Sequence, residues 1–249
     1  MREHPQHSAS SEPAVSPCFC ERSDGDLPCR LLVPDARRHP PPWPLILFLH
    51  GAGERGADNK AQLLNAVHVL ARPHIMDAFP CVVIAPQCPE EERWVDVDWD
   101  APSHELPDQP SRPMAAAMQI LNAVMREVRI APDQVYVAGI SMGGFGTWDA
   151  LMRYPQVFAA GIPVCGGADD SQAARIAGIP VWAFHGGLDD AVRPARSRSI
   201  IAALRAAGGH PKYTEYPNAG HDSWTPAFDE PMLLPWLLAQ RRSERQPDP

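Results

Sequence analysis

Short apolar runs alternate with segments of helical spacing along most of this 249-residue chain. Continuous apolar runs bounded by turn residues are typical of strands buried on both faces of a parallel sheet. The predicted strands are residues 28–35, 45–50, 81–87, 134–140, 159–167, 179–187 and 212–217, and the predicted helices are 61–72, 113–128, 147–154, 195–209 and 232–242. This alternation predicts an α/β protein with a mostly parallel central sheet and helices on both faces.

The alternation continues without an internal repeat or linker, so we predict one α/β domain over residues 18–243. Residues 1–17 form a polar leader that is predicted to be disordered, and residues 244–249 form a polar tail that is predicted to be frayed. A polar insert at residues 88–112 separates the strand at 81–87 from the next helix. Loops of this length are often functional, so we expect the insert to lie near a site.

Charge and composition exclude several classes of function. The formal net charge of −8 argues against nucleic-acid binding, which usually needs a basic face. No run of 18 apolar residues is present, and the N-terminus has no apolar signal-peptide core, so the sequence as given predicts no membrane association and a cytoplasmic location. Secretion stays open if an upstream segment exists. No metal-ligating spacing and no glycine-rich phosphate loop is found, so we expect neither a metal nor a cofactor.

A serine between glycines follows the predicted strand at 134–140. Residues Gly139-Ile140-Ser141-Met142-Gly143 fit the G-x-S-x-G pattern, in which a nucleophilic serine lies on a sharp turn from strand to helix. The glycines are expected to permit a positive φ and to leave space around the hydroxyl. A helix-capping serine in an ordinary turn is the alternative, so the motif needs support from the rest of the chain.

Two further strand ends carry the residues that would complete a catalytic triad. Asp189 follows the strand at 179–187, and His221 follows the strand at 212–217. Functional groups collect beyond the carboxyl ends of parallel strands, and the order serine, aspartate, histidine is that of α/β-hydrolase triads. We therefore predict Ser141 as the nucleophile, His221 as the base and Asp189 as the residue that orients the base.

The acid of the triad has rivals in the sequence. Asp190 follows Asp189 directly, and Asp169 and Asp170 follow the preceding strand. We favour Asp189 because it comes first after its strand and would lie nearest the sheet edge. Asp190 is expected to be a solvated turn residue.

A serine of this kind also needs hydrogen-bond donors for the oxyanion that forms on the substrate. The backbone N–H of Met142, directly after the nucleophile, is the first predicted donor. The loop His50-Gly51-Ala52-Gly53 follows an early strand and resembles an HGGG-type oxyanion loop. It gives the backbone N–H of Ala52 as the second predicted donor.

Two charged residues follow this loop directly. Glu54 and Arg55 have the right position to orient the loop or to bind substrate. An ordinary surface ion pair between them is the simpler interpretation, and the sequence favours it slightly.

Several segments together carry a family resemblance. They are "LILFLHGAGERG", "VVIAPQCP", "YVAGISMGGFGTWDAL", "FHGGLDDAVRP" and "YTEYPNAGHDSW", within residues 43–240. The chain resembles the serine esterases of the α/β-hydrolase superfamily. More narrowly, it is similar to the phospholipase/carboxylesterase-like and polyhydroxybutyrate-depolymerase-like group, often labelled predicted peptidases or feruloyl-type esterases. The resemblance implies the α/β-hydrolase fold and a Ser-His-Asp triad strongly, and the substrate weakly.

Tryptophans near the predicted site suggest how a substrate would bind. Trp94 and Trp99 lie in the insert and would stack on an aromatic acyl group or a sugar, or else anchor the insert on the core. Trp224 follows the histidine loop and is expected to pack against it or to contact substrate. His104, also in the insert, is expected to be a surface histidine.

These residues lead to one functional hypothesis and two alternatives. The hypothesis is a serine carboxylesterase that hydrolyses short-chain or aryl esters of the feruloyl type, free or linked to a polymer, through an acyl-serine intermediate. A serine peptidase of the prolyl-oligopeptidase-like group is the first alternative, although this chain has no room for the propeller of such enzymes. A non-catalytic binding protein with the hydrolase fold is the second, although such proteins usually lose a triad residue.

Overall fold

The computed structural model describes residues 18–22 and 25–242, and its centre is an eight-stranded sheet of order β1-β2-β4-β3-β5-β6-β7-β8. The β1–β2 and β2–β4 pairs are antiparallel, and the pairs from β4 through β3 to β8 are parallel. The strands are β1 Cys20–Arg22, β2 Cys29–Leu32, β3 Trp43–Leu49, β4 Val82–Pro86, β5 Ile130–Ile140, β6 Ala160–Val164, β7 Trp182–Gly186 and β8 Lys212–Tyr216. This sheet confirms the predicted mostly parallel α/β architecture.

Helices cover both faces of the sheet. They are α1 Pro73–Ala78, α2 Arg112–Glu127, α3 Met142–Arg153, α4 Ala195–Ala206, α5 Trp224–Phe228 and α6 Leu233–Ala239. One buried apolar cluster joins α2, α3 and α4 to the sheet, and a second cluster on the other face holds α1, α5 and α6. The start of α2 is set by residues that favour a helix N-terminus. The Ser111 hydroxyl accepts a hydrogen bond from the Met114 N–H at 3.2 Å, and Pro113 lies in the first turn.

The prediction of one helix over residues 61–72 is wrong. This stretch forms two short 3-10 segments, Ala61–Leu63 and Val67–Ala71, and Ala66 between them has a φ of +53°. A positive φ in a residue other than glycine is uncommon and interrupts a right-handed helix. The spacing of the apolar residues therefore indicates which side chains are buried, but it does not indicate whether they lie on one uninterrupted helix.

The register of the sheet brings the ends of four strands into one row. Ile140 of β5 is level with Val164 of β6, Val164 is level with Phe184 of β7, and Gly186 is level with Tyr216 of β8. The loops that follow these parallel strands emerge at the same edge, as expected for a site in this class of sheet.

The predicted leader, residues 1–17, and the predicted tail, residues 244–249, lie outside the described residues. Among the helices that are described, none is both long and apolar enough to cross a membrane.

Candidate active site

Ser141 occupies a strained turn between β5 and α3. Its φ is +53° and its ψ is −117°, and its N–H donates to the Val164 carbonyl at 2.9 Å. Sparsely populated backbone conformations of this kind cost free energy and are concentrated at functional sites. The turn presents the side chain of Ser141 at the edge of the sheet where the strand ends meet.

The glycines of the turn have a different role from the expected one. The positive φ belongs to Ser141, whereas Gly139 and Gly143 are not among the described glycines with positive φ. A Cβ on Gly139 would lie 2.2 Å from the Gly143 carbonyl oxygen, and a Cβ on Gly143 would lie 1.9 Å from the Leu49 carbonyl oxygen. Both glycines are needed because backbone packs directly on backbone there.

We expect Gly143→Ala to destabilise the protein by about 3 kcal/mol or more, because the added methyl meets backbone that cannot move without shifting the end of β3. Gly53→Ala is the matched control, since its methyl would meet nothing within 4 Å. Urea unfolding of both variants and wild type measures the difference. Equal midpoints for Gly143→Ala and wild type would contradict the prediction.

The structure brings Ser141, His221 and Asp189 together in one chain of hydrogen bonds. His221 Nδ1 lies 2.8 Å from Asp189 Oδ2, and His221 Nε2 lies 2.9 Å from Ser141 Oγ. A carboxylate only accepts hydrogen bonds, so Nδ1 carries the proton and Nε2 is left to accept the serine O–H. Such an arrangement has the geometry of a nucleophile, a base and an orienting acid.

Asp189 is a buried carboxylate that its hydrogen-bond donors keep ionised. Its Oδ1 accepts hydrogen bonds from the Ala191 N–H at 3.0 Å and from the Val192 N–H at 2.8 Å. Burial alone would raise the pKa of Asp189, but hydrogen bonds from His185, His221 and the Val192 N–H hold its pKa well below the usual range. The carboxylate therefore keeps its charge at neutral pH and faces His221.

The rival aspartates lie elsewhere. Asp190 is exposed to solvent. Asp169 accepts hydrogen bonds from the N–H and hydroxyl of Ser171 and from the Leu106 N–H, so it ties down the insert. Asp170 accepts a hydrogen bond from the Ser199 hydroxyl. None of these contacts involves His221.

His185 contacts Asp189 of the predicted triad and was not found from the sequence. It is fully buried in β7, where Nδ1 lies 2.7 Å from Ser197 Oγ and Nε2 lies 2.9 Å from the Val192 carbonyl oxygen. Nε2 also lies 3.3 Å from Asp189 Oδ2. The sequence did contain a signal for His185, which is a polar residue inside an otherwise apolar strand. Buried polar groups usually have specific hydrogen-bond partners, so such a residue could have been examined as a neighbour of the site.

The predicted oxyanion loop lies against Ser141, the predicted nucleophile. A Cβ on Gly51 would lie 3.6 Å from both Ser141 Cβ and the Ile140 carbonyl oxygen. Arg55 Nε donates to the Ala52 carbonyl at 2.9 Å, so the arginine fixes this loop and does not pair with Glu54. Met142 is the first residue of α3, where N–H groups have no partner within the helix. The role of the Ala52 and Met142 N–H groups as oxyanion donors stays a prediction.

A buried thiol lies next to Asp189 and His221. Cys165 follows β6 with a φ of +42°, and burial raises the pKa of its thiol well above the usual range. Potential ligand atoms of Cys165, Asp189 and His221 lie within 4.8 Å of one another, which is close enough for one metal ion to bridge. A metal ion bound there would take the place of the hydrogen bond between Asp189 and His221. Metal binding and the orientation of His221 by Asp189 therefore exclude each other.

The three tryptophans that were predicted to bind substrate divide into one core residue and two that are partly exposed. Trp94 is fully buried and its indole N–H donates to the His50 carbonyl at 3.0 Å, so it anchors the insert and has no surface left for a substrate. The prediction that Trp94 binds substrate is therefore corrected. Trp99 is partly exposed under the Arg93 guanidinium. The Trp224 ring is edge-on to His221, with centroids 5.3 Å apart.

His104 is not the surface residue that was expected. It is partly buried, contacts the Arg196 guanidinium, and lies 5.8 Å from the Phe145 ring. Burial and the nearby Arg196 lower the pKa of His104 to about 4. Arg196 also donates to the Ala101 carbonyl at 3.1 Å, so this contact fastens the middle of the insert.

Comparison with known proteins gives a consistent result. The model of the phospholipase/carboxylesterase family matches residues 36–230. A probable carboxylesterase of Oryza sativa subsp. japonica is 26% identical over 193 residues, which cover 71% of this chain and 80% of that protein. The structure of a thermostable esterase is similar at a TM-score of 0.82 and 38% identity; the match covers 90% of this chain and 63% of that one.

More distant structures share the fold alone. The feruloyl esterase module of Clostridium thermocellum, solved as a mutant with sinapinate, is similar at a TM-score of 0.61 and 15% identity. The match covers 95% of this chain and 94% of that one. Together with the sheet order, these likenesses confirm the predicted α/β-hydrolase fold.

Proposed function

The chain belongs to the phospholipase/carboxylesterase family, and we propose that it is a serine carboxylesterase acting on short-chain or aryl esters through an acyl-serine intermediate. One observation carries the proposal. The hydrogen-bond chain from Ser141 through His221 to Asp189 lies beside the Gly51–Ala52 loop. This combination supplies a nucleophile, a base and backbone donors at one point of the sheet edge.

In the acylation step, Ser141 Oγ attacks the ester carbonyl carbon while His221 Nε2 takes its proton. The carbonyl oxygen gains negative charge and is stabilised by the N–H groups of Met142 and Ala52. Asp189 stabilises the imidazolium of His221. His221 then gives the proton to the leaving alcohol, and the acyl group stays on Ser141.

In the second step, water repeats the same chemistry. His221 Nε2 takes a proton from the water, whose oxygen attacks the acyl-serine carbonyl. The bond to Ser141 Oγ breaks, the serine regains its proton from His221, and the carboxylic acid leaves. Both steps use the same groups, so one arrangement of side chains serves the whole cycle.

The preference for short or aryl acyl groups rests on the surroundings of the triad. Trp224 lies edge-on to His221, and Trp99 is partly exposed on the insert. Aromatic rings favour stacked or edge-on contact with other rings. The insert is polar and is fastened through Trp94, Asp169 and Arg196, which differs from the broad apolar lid expected for a long-chain lipase.

The acyl series of p-nitrophenyl esters from acetate to octanoate tests this proposal. We expect kcat/KM to be highest for the short esters and to fall by about tenfold or more toward octanoate, because the insert that is fastened beside the predicted triad is polar. The matched acetyl and butyryl p-nitroanilides serve as amide substrates. Faster cleavage of the anilides than of the esters would overturn the proposal in favour of a peptidase, and cleavage of neither would favour a binding protein.

A further inference from the structure

A second imidazole ring, that of His185, reaches the carboxylate of Asp189. His185 is fully buried in β7, where its Nε2 lies 2.9 Å from the Val192 carbonyl oxygen and 3.3 Å from Asp189 Oδ2. His221 Nδ1 approaches the same carboxylate oxygen at 2.8 Å. Two histidines therefore meet at one oxygen of Asp189, and the predicted triad uses only one of them.

The neighbours of the His185 ring decide where its proton lies. A carbonyl oxygen and an ionised carboxylate only accept hydrogen bonds, so Nε2, which faces one of each, carries a proton. On the other side of the ring, Nδ1 lies 2.7 Å from Ser197 Oγ, which also lies 3.0 Å from the Gly166 carbonyl oxygen. A neutral ring accepts the Ser197 proton at Nδ1, whereas a charged ring donates to Ser197 while that hydroxyl donates to Gly166. In both cases Nε2 is protonated.

The Nε2–H group of His185 acts on the loop that carries Asp189. Asp189 Oδ1 accepts from the N–H groups of Ala191 and Val192, and the Val192 carbonyl oxygen lies on the Nε2 side of His185. His185 therefore meets this loop twice, once at the carboxylate and once at the backbone of residue 192. Burial raises the pKa of Asp189, and a hydrogen bond from His185 is among the interactions that lower it.

From this geometry we infer that His185 is a positioning residue for the reaction, whose Nε2–H group holds Asp189 so that Oδ2 faces His221 Nδ1. The carboxylate then meets the imidazolium of His221 in a fixed geometry in both steps of the reaction. Because His185 acts through Asp189, its role needs no access for substrate and agrees with its complete burial. This inference rests on the proposed esterase function and adds a residue outside the triad to it.

Two amide substitutions separate this role from a purely structural one, in which His185 only ties α4 to the sheet through Ser197. Asparagine carries its amide nitrogen on Cγ, as imidazole carries Nδ1, whereas glutamine carries it one bond further out, as imidazole carries Nε2. His185→Asn therefore keeps a polar group toward Ser197 and loses the donor toward Asp189. His185→Gln keeps the donor toward Asp189 and loses the group toward Ser197.

We expect His185→Asn to lower kcat for p-nitrophenyl acetate by about tenfold with little change in KM, because Asp189 acts on His221 when the imidazolium forms. His185→Gln should stay within about threefold of the wild-type kcat. His210→Asn is the matched control, since it makes the same change in an exposed histidine and should keep the wild-type rate. Equal losses in the two His185 variants, or a change in KM alone, would overturn the inference.

A double-mutant cycle tests whether His185 acts through Asp189. In Asp189→Asn the carboxylate is already lost, so adding His185→Asn should lower kcat by less than about threefold further. A further loss of about tenfold, equal to the loss in the wild-type background, would show that the two residues act independently and would overturn the inference.

The proton on His185 is measured in wild type, so the inference is decided even if a His185 variant does not fold. Long-range proton–nitrogen correlation spectra of the histidine rings show which ring nitrogens carry protons, and a His185 ring with an unprotonated Nε2 would overturn the inference.

The outcomes separate this inference from the proposed function. If wild type hydrolyses p-nitrophenyl acetate and the two His185 variants lose the same activity, only the role of His185 is wrong. If wild type hydrolyses no ester, the esterase proposal itself fails, and the inference fails with it. A protonated Nε2, a slow His185→Asn and an active His185→Gln together are the expected result.

Discussion

Ser141→Ala is expected to lower kcat for p-nitrophenyl acetate by roughly a millionfold, because the attacking oxygen is lost and no other group can replace it. The thiol of Cys165 lies close to His221, but it is buried, and burial raises its pKa well above the usual range, so it stays protonated at neutral pH. The fold should be unchanged, since alanine keeps a Cβ at the strained turn and the hydrogen bond from the residue 141 N–H to the Val164 carbonyl does not involve the side chain.

The measurement is a steady-state assay of both proteins with thermal unfolding as the check on the fold. Ser103→Ala, an exposed serine of the insert, controls for the loss of a hydroxyl and should retain the wild-type rate. Ester hydrolysis by Ser141→Ala at a rate near that of wild type would place the reaction elsewhere on the molecule. Lost activity together with a lower melting temperature would show instead that Ser141 is needed for folding.

The residues at the strand ends could be predicted because they depend on local pattern. Ser141, Asp189 and His221 each follow a short apolar strand, and parallel strands deliver their following loops to one edge. The family resemblance then added the expected order of the three residues. For these positions, the sequence shows both the strand and the residue that directly follows it, which is enough to place that residue at the edge of the sheet.

Burial of polar residues in loops could not be predicted in the same way. Glu54 follows a glycine-rich turn and looks like a surface residue, yet Asn65 and Gln87 contact it from other parts of the chain. Trp94 lies in a polar insert, and its burial depends on packing of its side chain at Gly146 of α3. The burial of Glu54 and of Trp94 depends on contacts with distant parts of the chain, which no local sequence pattern predicts.

Two carboxylates near the nucleophile differ in how their hydrogen bonds are satisfied. Asp189 has donors on both oxygens, from two backbone N–H groups and from His221, so its position and its charge are fixed. Among the described residues, Glu54 has a donor on one oxygen only. The full set of donors on Asp189 supports its assignment to the orientation of the base.

Asp189→Asn is expected to lower kcat by about ten-thousandfold. The asparagine Oδ1 can still accept from the Ala191 and Val192 N–H groups, so the loop should keep its shape. The side-chain amide then faces His221 and donates to Nδ1, which moves the imidazole proton to Nε2. An Nε2 that carries a proton cannot accept the proton of Ser141, and the imidazolium also loses its counter-charge.

Asp190→Asn is the matched control, because it makes the same chemical change in the adjacent and exposed residue. We expect less than about a threefold change in kcat for this variant, since surface substitutions away from specific contacts have small effects. Both variants are compared with wild type on p-nitrophenyl acetate, with circular dichroism as the check on the fold. If Asp190→Asn were the damaging substitution and Asp189→Asn the mild one, the acid of the triad would be Asp190, and the hydrogen bond between Asp189 and His221 would have no catalytic part.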